Sequence, residues 1–335
     1  MAQPVAHGVI GTWRGEGVGV GQVVDALADL RRCGQRTATR ASVTNLVLVA
    51  RDQGEVDRGC EAVHRLGRRH PGRSIVLLAA PDAEPSGIDA EVLLHGSVVE
   101  GHPVWSEDVR LVVRGAPTRH LQSLIEPLTL PDLPVAVWFV SGVPDPHDPL
   151  VRAATTVVVD GDTLREDAAV AAMARLDARR VVLDLCWERL RPWRQLVAGL
   201  FELPSARPYV TGVRRIEVHG PTWAGLLLGG WAASRLGLPG GTVQRTAGPT
   251  PAIRLEAEHD GTIASFTAEQ AEAADGTAVV RAVSSLAPEG APGDRLSLPE
   301  DPVAWAVGEA LTRTGRDRAY RQALEVAATI VAAPR

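Results

Sequence analysis

A chain of 335 residues, 45% hydrophobic and 22% charged, is long enough for two hydrophobic cores and too apolar for a disordered protein. The formal charge is −5, with no basic block and no acidic tail, which argues against nucleic acid and anionic membrane as partners. All 35 basic residues are arginine, so a Schiff-base lysine and the lysine of a P-loop are both excluded.

Abundant Ala, Arg, Gly and Val beside absent Lys reads as codon bias in a GC-rich genome rather than selection for function. Met1 to Arg14 lacks the charged region and apolar run of a secretory signal. The most apolar helical stretch, Trp223 to Leu236, falls short of the ~20 residues that span a bilayer. A cytoplasmic protein is expected. Cys33, Cys60 and Cys186 are far apart, with no C-x-x-C pair, and read as reduced thiols.

Residues 1–40 form an N-terminal extension. The run Gly15-Glu16-Gly17-Val18-Gly19-Val20-Gly21 lacks the G-x-G-x-x-G spacing of a dinucleotide fingerprint, and the sequence places no strand before it. It reads as a turn into a helix over Gln22 to Arg32. Residues 41–205 read as a Rossmann-like α/β domain with a mainly parallel sheet. The apolar run Val43 to Ala50, the helical spacing of Val56, Cys60, Val63 and Leu66, and the run Ser74 to Ala80 make one βαβ unit. An antiparallel pair follows, Val92 to Glu100 and Val104 to Arg114, and Thr118 is placed to cap a helix carrying Leu121, Leu124 and Ile125. Further buried strands are expected at Val135 to Val140, Thr155 to Val159 and Val181 to Leu185, with a helix from about Arg165 to Asp177. Pro192 suits the first turn of a helix that buries Trp193, Leu196, Val197, Leu200 and Phe201.

Residues 206–335 read as a smaller α+β domain. A strand near Ile216 and a helix from Thr222 precede strands at Ala252 to Glu258, Thr262 to Thr267 and Thr277 to Val283, with Asp260-Gly261 supplying a tight hairpin turn. Ala287 to Pro299 reads as a loop. Asp301-Pro302 starts a helix, Gly315 breaks it, and Tyr320, Ala323, Leu324, Ala327 and Val331 carry the last one.

No metal cluster, nucleophile elbow or phosphate loop is legible, so no cofactor is expected. Asp145-Pro146-His147-Asp148-Pro149 reads as a rigid exposed loop. His70-Pro71-Gly72-Arg73 reads as a helix stop, with Pro71 preventing continuation. Tryptophan is over-represented, with eight against three Phe and two Tyr, and Trp and Arg are the residues most enriched in binding hot spots. Trp187 and Trp193 flank Glu188-Arg189-Leu190-Arg191-Pro192.

Four strings in order resemble the OpcA family: Arg40 to Val47, His70 to Arg73, Leu130 to Trp138 and, most specific of them, Asp184-Leu185-Cys186-Trp187-Glu188-Arg189-Leu190-Arg191-Pro192-Trp193-Arg194. The resemblance runs from about residue 40 to the final helix. It implies a non-catalytic assembly factor and allosteric activator that binds glucose-6-phosphate dehydrogenase, favours its active oligomer and so acts on the oxidative pentose phosphate pathway. In some relatives the family links the dehydrogenase to thioredoxin through cysteines, and this chain has no matching pair. The docking site is expected at Trp187, Arg189, Arg191 and Arg194, with Trp193 packed inward and the three arginines reaching the surface near Asp145 and His147. The alternatives are a Rossmann-like enzyme or metabolite-binding protein of unknown substrate, and a regulatory module for some other partner.

Overall fold

A computed structural model describes residues 8–34, 44–67, 72–99, 102–164, 168–288, 291, 293–313 and 315–332. His70 and Pro71, the segment Arg40 to Val43 and the side chain of Cys33 lie outside the described residues. In chain order the elements are β1 (Gly8–Gly15), α1 (Val20–Gly34), β2 (Asn45–Ala50), α2 (Gln53–Gly67), β3 (Arg73–Ala80), β4 (Gly87–Val99), β5 (His102–Arg114), α3 (Leu121–Ile125), β6 (Val135–Phe139), α4 (Pro149–Ala153), β7 (Thr156–Val159), α5 (Ala168–Arg179) and β8 (Val182–Asp184). There follow α6 (Leu185–Arg189), α7 (Arg191–Leu200), β9 (Val213–Gly220), α8 (Thr222–Leu236), β10 (Val243–Ala247), β11 (Ala252–His259), β12 (Thr262–Glu272), β13 (Ala278–Ser284), β14 (Asp294–Ser297), α9 (Pro302–Thr312) and α10 (Arg318–Ala332). None of the described helices is long and apolar enough to cross a membrane.

The chain divides into two compact units. The first holds residues 1–159, 179–183 and 303–314, the second residues 160–178, 184–302 and 315–335. The α/β class holds. An eight-stranded sheet runs β1-β4-β5-β3-β2-β6-β7-β8, parallel from β5 through β3, β2 and β6 to β7 and antiparallel at the β1 and β4 edge. Val47, Ile75, Val137 and Val157 are fully buried, as strands covered on both faces require. Helix α1 packs Leu30 near Leu94 on one face, and α2 lies with Gly59 against Leu48 on the other.

The strand β1 corrects the expectation that none precedes the glycine run. Its residues are mostly exposed and its register slips between Val9 and Gly11, so it carries little of the apolar alternation that marks a strand in sequence. Thr118 does not cap α3. It lies in a 3-10 turn with its hydroxyl donating to the Gly115 carbonyl, and His120 holds the cap position without a side-chain bond.

The sheet's amino-terminal edge is tied by a buried polar knot. The Asn45 amide accepts the Leu130 N–H at 2.7 Å and donates to the Leu130 carbonyl at 3.0 Å, and the Asn45 N–H donates to the Pro134 carbonyl at 2.9 Å. Arg73 donates to Glu107 and to the Leu128 carbonyl, and Arg31 of α1 reaches Glu107 from above. Both Arg73 and Glu107 are buried, so the pair holds only because each charge has its partner.

In the second unit a six-stranded sheet runs β10-β9-β11-β12-β13-β14, antiparallel except for the parallel pair β10 and β9. Ile216, Val218, Ile253, Leu255 and Phe266 line its covered face, while Arg215, Glu217, Glu269 and Arg281 occupy the open one. Asp260 (φ 48) and Gly261 (φ 77) form the expected hairpin turn between β11 and β12. At Gly230 of α8 a Cβ would lie 2.3 Å from the Ala323 carbonyl, so the glycine lets α10 approach backbone to backbone. Two edge strands depart from the sequence reading: β14 lies inside the expected loop Ala287 to Pro299, and β10 was not expected. Both are short and largely exposed, so neither shows a buried apolar run.

Glu107→Gln should lower the stability of the first unit by about 3–5 kcal/mol, because it leaves the Arg73 charge buried without its counter-ion. Chemical denaturation followed by circular dichroism checks this; a loss under 1 kcal/mol would show that the knot is dispensable.

Candidate functional site

In a doubly wound sheet, ligands bind outside the carboxyl ends of the strands where the strand order reverses. Here the order β3-β2-β6 puts the reversal between β2 and β6. Dinucleotide-binding folds leave the helix start after the first strand bare, so that its N–H groups and dipole hold a pyrophosphate. This chain puts Arg51-Asp52-Gln53-Gly54 there, and its own carboxylates bond N–H groups at that helix start. Asp52 Oδ1 accepts the Glu55 N–H at 2.8 Å, Glu55 Oε2 accepts the Arg51 N–H at 2.8 Å, and Glu55 Oε1 accepts the Ser141 hydroxyl beyond β6. An incoming phosphate would meet like charge at the very donors it needs.

The loop that continues from Ser141 carries Asp145 and His147, both exposed. Asp145 Oδ1 accepts the His147 N–H at 2.7 Å, and Asp148 caps α4 by accepting the Leu150 N–H at 2.7 Å. These carboxylates shape the turn. Among the described residues no group of three or more His, Cys, Asp or Glu side chains is placed to hold a metal ion.

The string from Asp184 to Arg194 builds a second, denser constellation in the second unit. Asp184 caps α6. Its Oδ1 accepts the N–H groups of Cys186 at 2.9 Å and Gly161 at 3.1 Å, and its Oδ2 accepts the Trp223 indole at 2.7 Å and the Tyr320 hydroxyl at 3.2 Å. A Cβ at Gly161 would lie 2.0 Å from the Trp223 indole nitrogen, so only glycine fits between them. Burial raises the pKa of Asp184 to about 6, and the nearby Asp160 and Asp162 add to this against the opposing Trp223 and Gly161 bonds.

Arg189 lies between Asp160 at 2.5 Å and Asp162 at 2.7 Å. Burial alone would lower its pKa, but the two carboxylates hold it above its usual value. Arg191 donates to Glu188 at 2.5 Å, and Glu188 is almost fully buried. The Arg194 guanidinium stacks 3.3 Å from the Trp187 ring centroid and donates to the Trp187 carbonyl at 3.0 Å. The Trp187 indole donates to Asp317 Oδ2 at 2.8 Å, and Asp317 Oδ1 accepts the N–H groups of Ala319 and Tyr320 to cap α10.

Trp193 packs inward, as expected, with its indole donating to the Pro251 carbonyl at 2.9 Å. The expectation that Arg189, Arg191 and Arg194 reach the surface is corrected. Arg189 is 15% exposed because Asp160 and Asp162 hold it, Arg191 is 24% exposed because the buried Glu188 draws it in, and Arg194 is drawn onto an aromatic face. Asp145 and His147 belong to the first unit and the arginines to the second. Sequence reasoning missed Asp160, Gly161, Asp162, Trp223, Asp317 and Tyr320 as members of this constellation. They come from distant segments, and each alone carries an ordinary turn, core or cap signal.

Cys60 and Cys186 are free thiols. Burial raises both pKa values, with Asp162 and Asp184 adding to the rise at Cys186, so neither is poised as a thiolate.

Two family models match this chain, both describing a glucose-6-phosphate dehydrogenase subunit. Residues 63–177 match its N-terminal domain, and residues 180–324 match its C-terminal domain. A protein of Synechocystis sp. that carries the name OxPP cycle protein OpcA is 25% identical over 173 residues, covering 48% of this chain and 36% of its own length. Its namesake in Nostoc punctiforme is 26% identical over 199 residues, covering 56% of this chain and 42% of its own length. The chain thus spans less than half the length of these curated relatives. Among solved structures, KijD10, a 3-ketoreductase from Actinomadura kijaniata in complex with TDP-benzene and NADP, has a TM-score of 0.46 at 12% identity, covering 87% of this chain and 96% of its own.

Arg191→Glu places a second negative charge beside buried Glu188. The variant should lose about 3 kcal/mol or more of stability in the second unit, so its melting temperature should fall whether or not a partner is present. A variant that melts like the parent would show that Arg191 is free to serve a surface role.

Proposed function

The chain belongs to the OpcA family, and from that premise we propose that it is a non-catalytic assembly factor that binds glucose-6-phosphate dehydrogenase in the cytoplasm and favours its active oligomer. The observation that carries this reading is the pair of dehydrogenase-subunit domain matches, which follow one another along residues 63–324. For such binding to activate, the chain must bind the active conformation of the enzyme more tightly than the inactive one, since equal affinity shifts nothing. A coupling of about 1–3 kcal/mol, roughly 5–150-fold in affinity, is the usual size of such an effect.

The carboxylates at the start of α2 favour this reading over that of a Rossmann-like enzyme. Asp52 and Glu55 engage the N–H groups of Arg51 and Glu55 itself, so a dinucleotide would have to displace two anions before its pyrophosphate could bind. The exposed residues Asp145 and His147 remain the proposed contribution of the first unit to docking. The second unit's Trp187, Arg189, Arg191 and Arg194 would contribute by fixing the shape of the surface around them, since each is already bonded to its own chain.

Mixing the chain with the dehydrogenase from the same cell should lower the apparent KM for glucose 6-phosphate or raise the rate, with the enzyme's sedimentation shifting toward its active oligomer. Reductant should make little difference, because both described thiols are held neutral. Unchanged kinetics and sedimentation at saturating protein would overturn the reading.

Calorimetric titration of the isolated chain with NADP at millimolar concentration should give no binding heat. Saturable binding that Glu55→Ala strengthens would instead establish a nucleotide site between β2 and β6.

A further inference from the structure

Four donors converge on the Asp184 carboxylate, and they differ in one chemical respect. The N–H groups of Gly161, Cys186 and the Trp223 indole can only donate, whereas the phenol of Tyr320 can donate or accept. If the carboxyl takes up a proton, one of its oxygens becomes a donor, and of these four partners Tyr320 alone can receive it.

The surroundings favour proton uptake. Asp160 and Asp162 face Asp184 from the turn Gly161–Thr163, and Arg189 of α6 is bonded to those two rather than to Asp184. Cys186, on the same helix, is kept a neutral thiol by burial. From α8 the facing group is the Trp223 indole. From α10, Asp317 is engaged by Trp187, and Arg321 by Asp177 of α5. Burial and the Asp184 charge push the Tyr320 phenol well above its usual pKa, so it keeps its own proton throughout.

We propose that Asp184 and Tyr320 form a proton-responsive joint that holds α10 against the turn leading into α6. With the carboxylate ionised, the phenol donates to Oδ2. A proton taken from solvent binds Oδ2, the acid then donates to the phenol oxygen, and the phenol turns its own hydrogen away. The bond survives with its sense reversed. This joint stands on the second unit's own geometry and is independent of any dehydrogenase partner.

The exchange should centre near pH 6, where burial places Asp184. The folded pKa lies above the unfolded value of about 3.9, so the native state binds the proton more tightly. The stability this group contributes is therefore full below about pH 4 and is lost as pH rises through about 6.

The test follows the Trp223 indole N–H, which donates to the same Oδ2, by NMR of the full-length protein between pH 4.5 and 8, with Trp223→Phe assigning the signal. In the parent protein the signal should titrate with a midpoint near 6. In Asp184→Asn it should not titrate, and the melting temperature should lose the part of its pH dependence that comes from this carboxyl.

Tyr320→Phe decides between the joint and a passive donor, and it carries the test if Asp184→Asn fails to fold. Loss of the phenol leaves the acid's proton without an acceptor among these four groups while the ionised form keeps three donors, so reversal predicts a midpoint shifted downward. A donor that never reverses predicts an upward shift. An upward or absent shift, or an indole signal that is flat in the parent protein, would overturn the proposal.

Discussion

Asp184 is a carboxyl group placed where water does not reach it, and the segments around it are arranged by the need to give its two oxygens donors. A buried carboxylate without such bonds would cost several kcal/mol, a large share of the about 5–15 kcal/mol by which an ordinary domain is stable. The turn at Gly161, the first turn of α6, the Trp223 edge of α8 and the Tyr320 face of α10 therefore meet at one point. Their placement brings the next set of bonds with it. Once Tyr320 is fixed, Asp317 at the start of α10 comes within reach of Trp187, whose ring lies 5.6 Å from that of Tyr320 and carries Arg194 stacked on it.

The first unit uses the same physics at the amino-terminal edge of its sheet. Asn45 and Arg73 stand at the entries to β2 and β3, Glu107 pairs with Arg73 from within β5, and together they tie the chain before β6 to those strands through the carbonyls of Leu128 and Leu130. The strings Arg40 to Val47, His70 to Arg73 and Leu130 to Trp138 contribute Asn45, Arg73 and Leu130 to this knot. A buried polar group such as Asn45 or Arg73 tolerates few substitutes, because it needs both its own shape and its partner's.

At the opposite edge of the sheet, where this architecture admits ligands, Asp52 and Glu55 accept the N–H groups of Glu55 and Arg51, and Glu55 also accepts the Ser141 hydroxyl. In the proposed assembly role, the protein would use the α/β scaffold to recognise a protein surface, which draws on rigid presentation more than on a pocket. The arginines of the second unit serve such presentation from within, since each is bonded to a neighbouring carboxylate or aromatic face of its own chain.

The sequence by itself determined the elements whose burial is periodic. The βαβ unit from β2 to β3, the β4 and β5 pair, the core helix α8 and the Asp260-Gly261 hairpin all follow from apolar spacing and turn chemistry, which are local properties. It also singled out Asp184 to Arg194 and placed Trp193 inward. It did not determine β1, β10 or β14, because exposed edge strands bury too little to leave a pattern. Nor could it set the direction of the arginines, which depends on where acids come to lie in the fold: Asp160 and Asp162, distant in the chain, draw in Arg189, and the neighbouring Glu188, which folding buries, draws in Arg191. The same holds for Asp184. In sequence it is an acid before a helix, and only folding brings Trp223 and Tyr320 to its second oxygen, because a side-chain hydrogen bond is decided by three-dimensional distance.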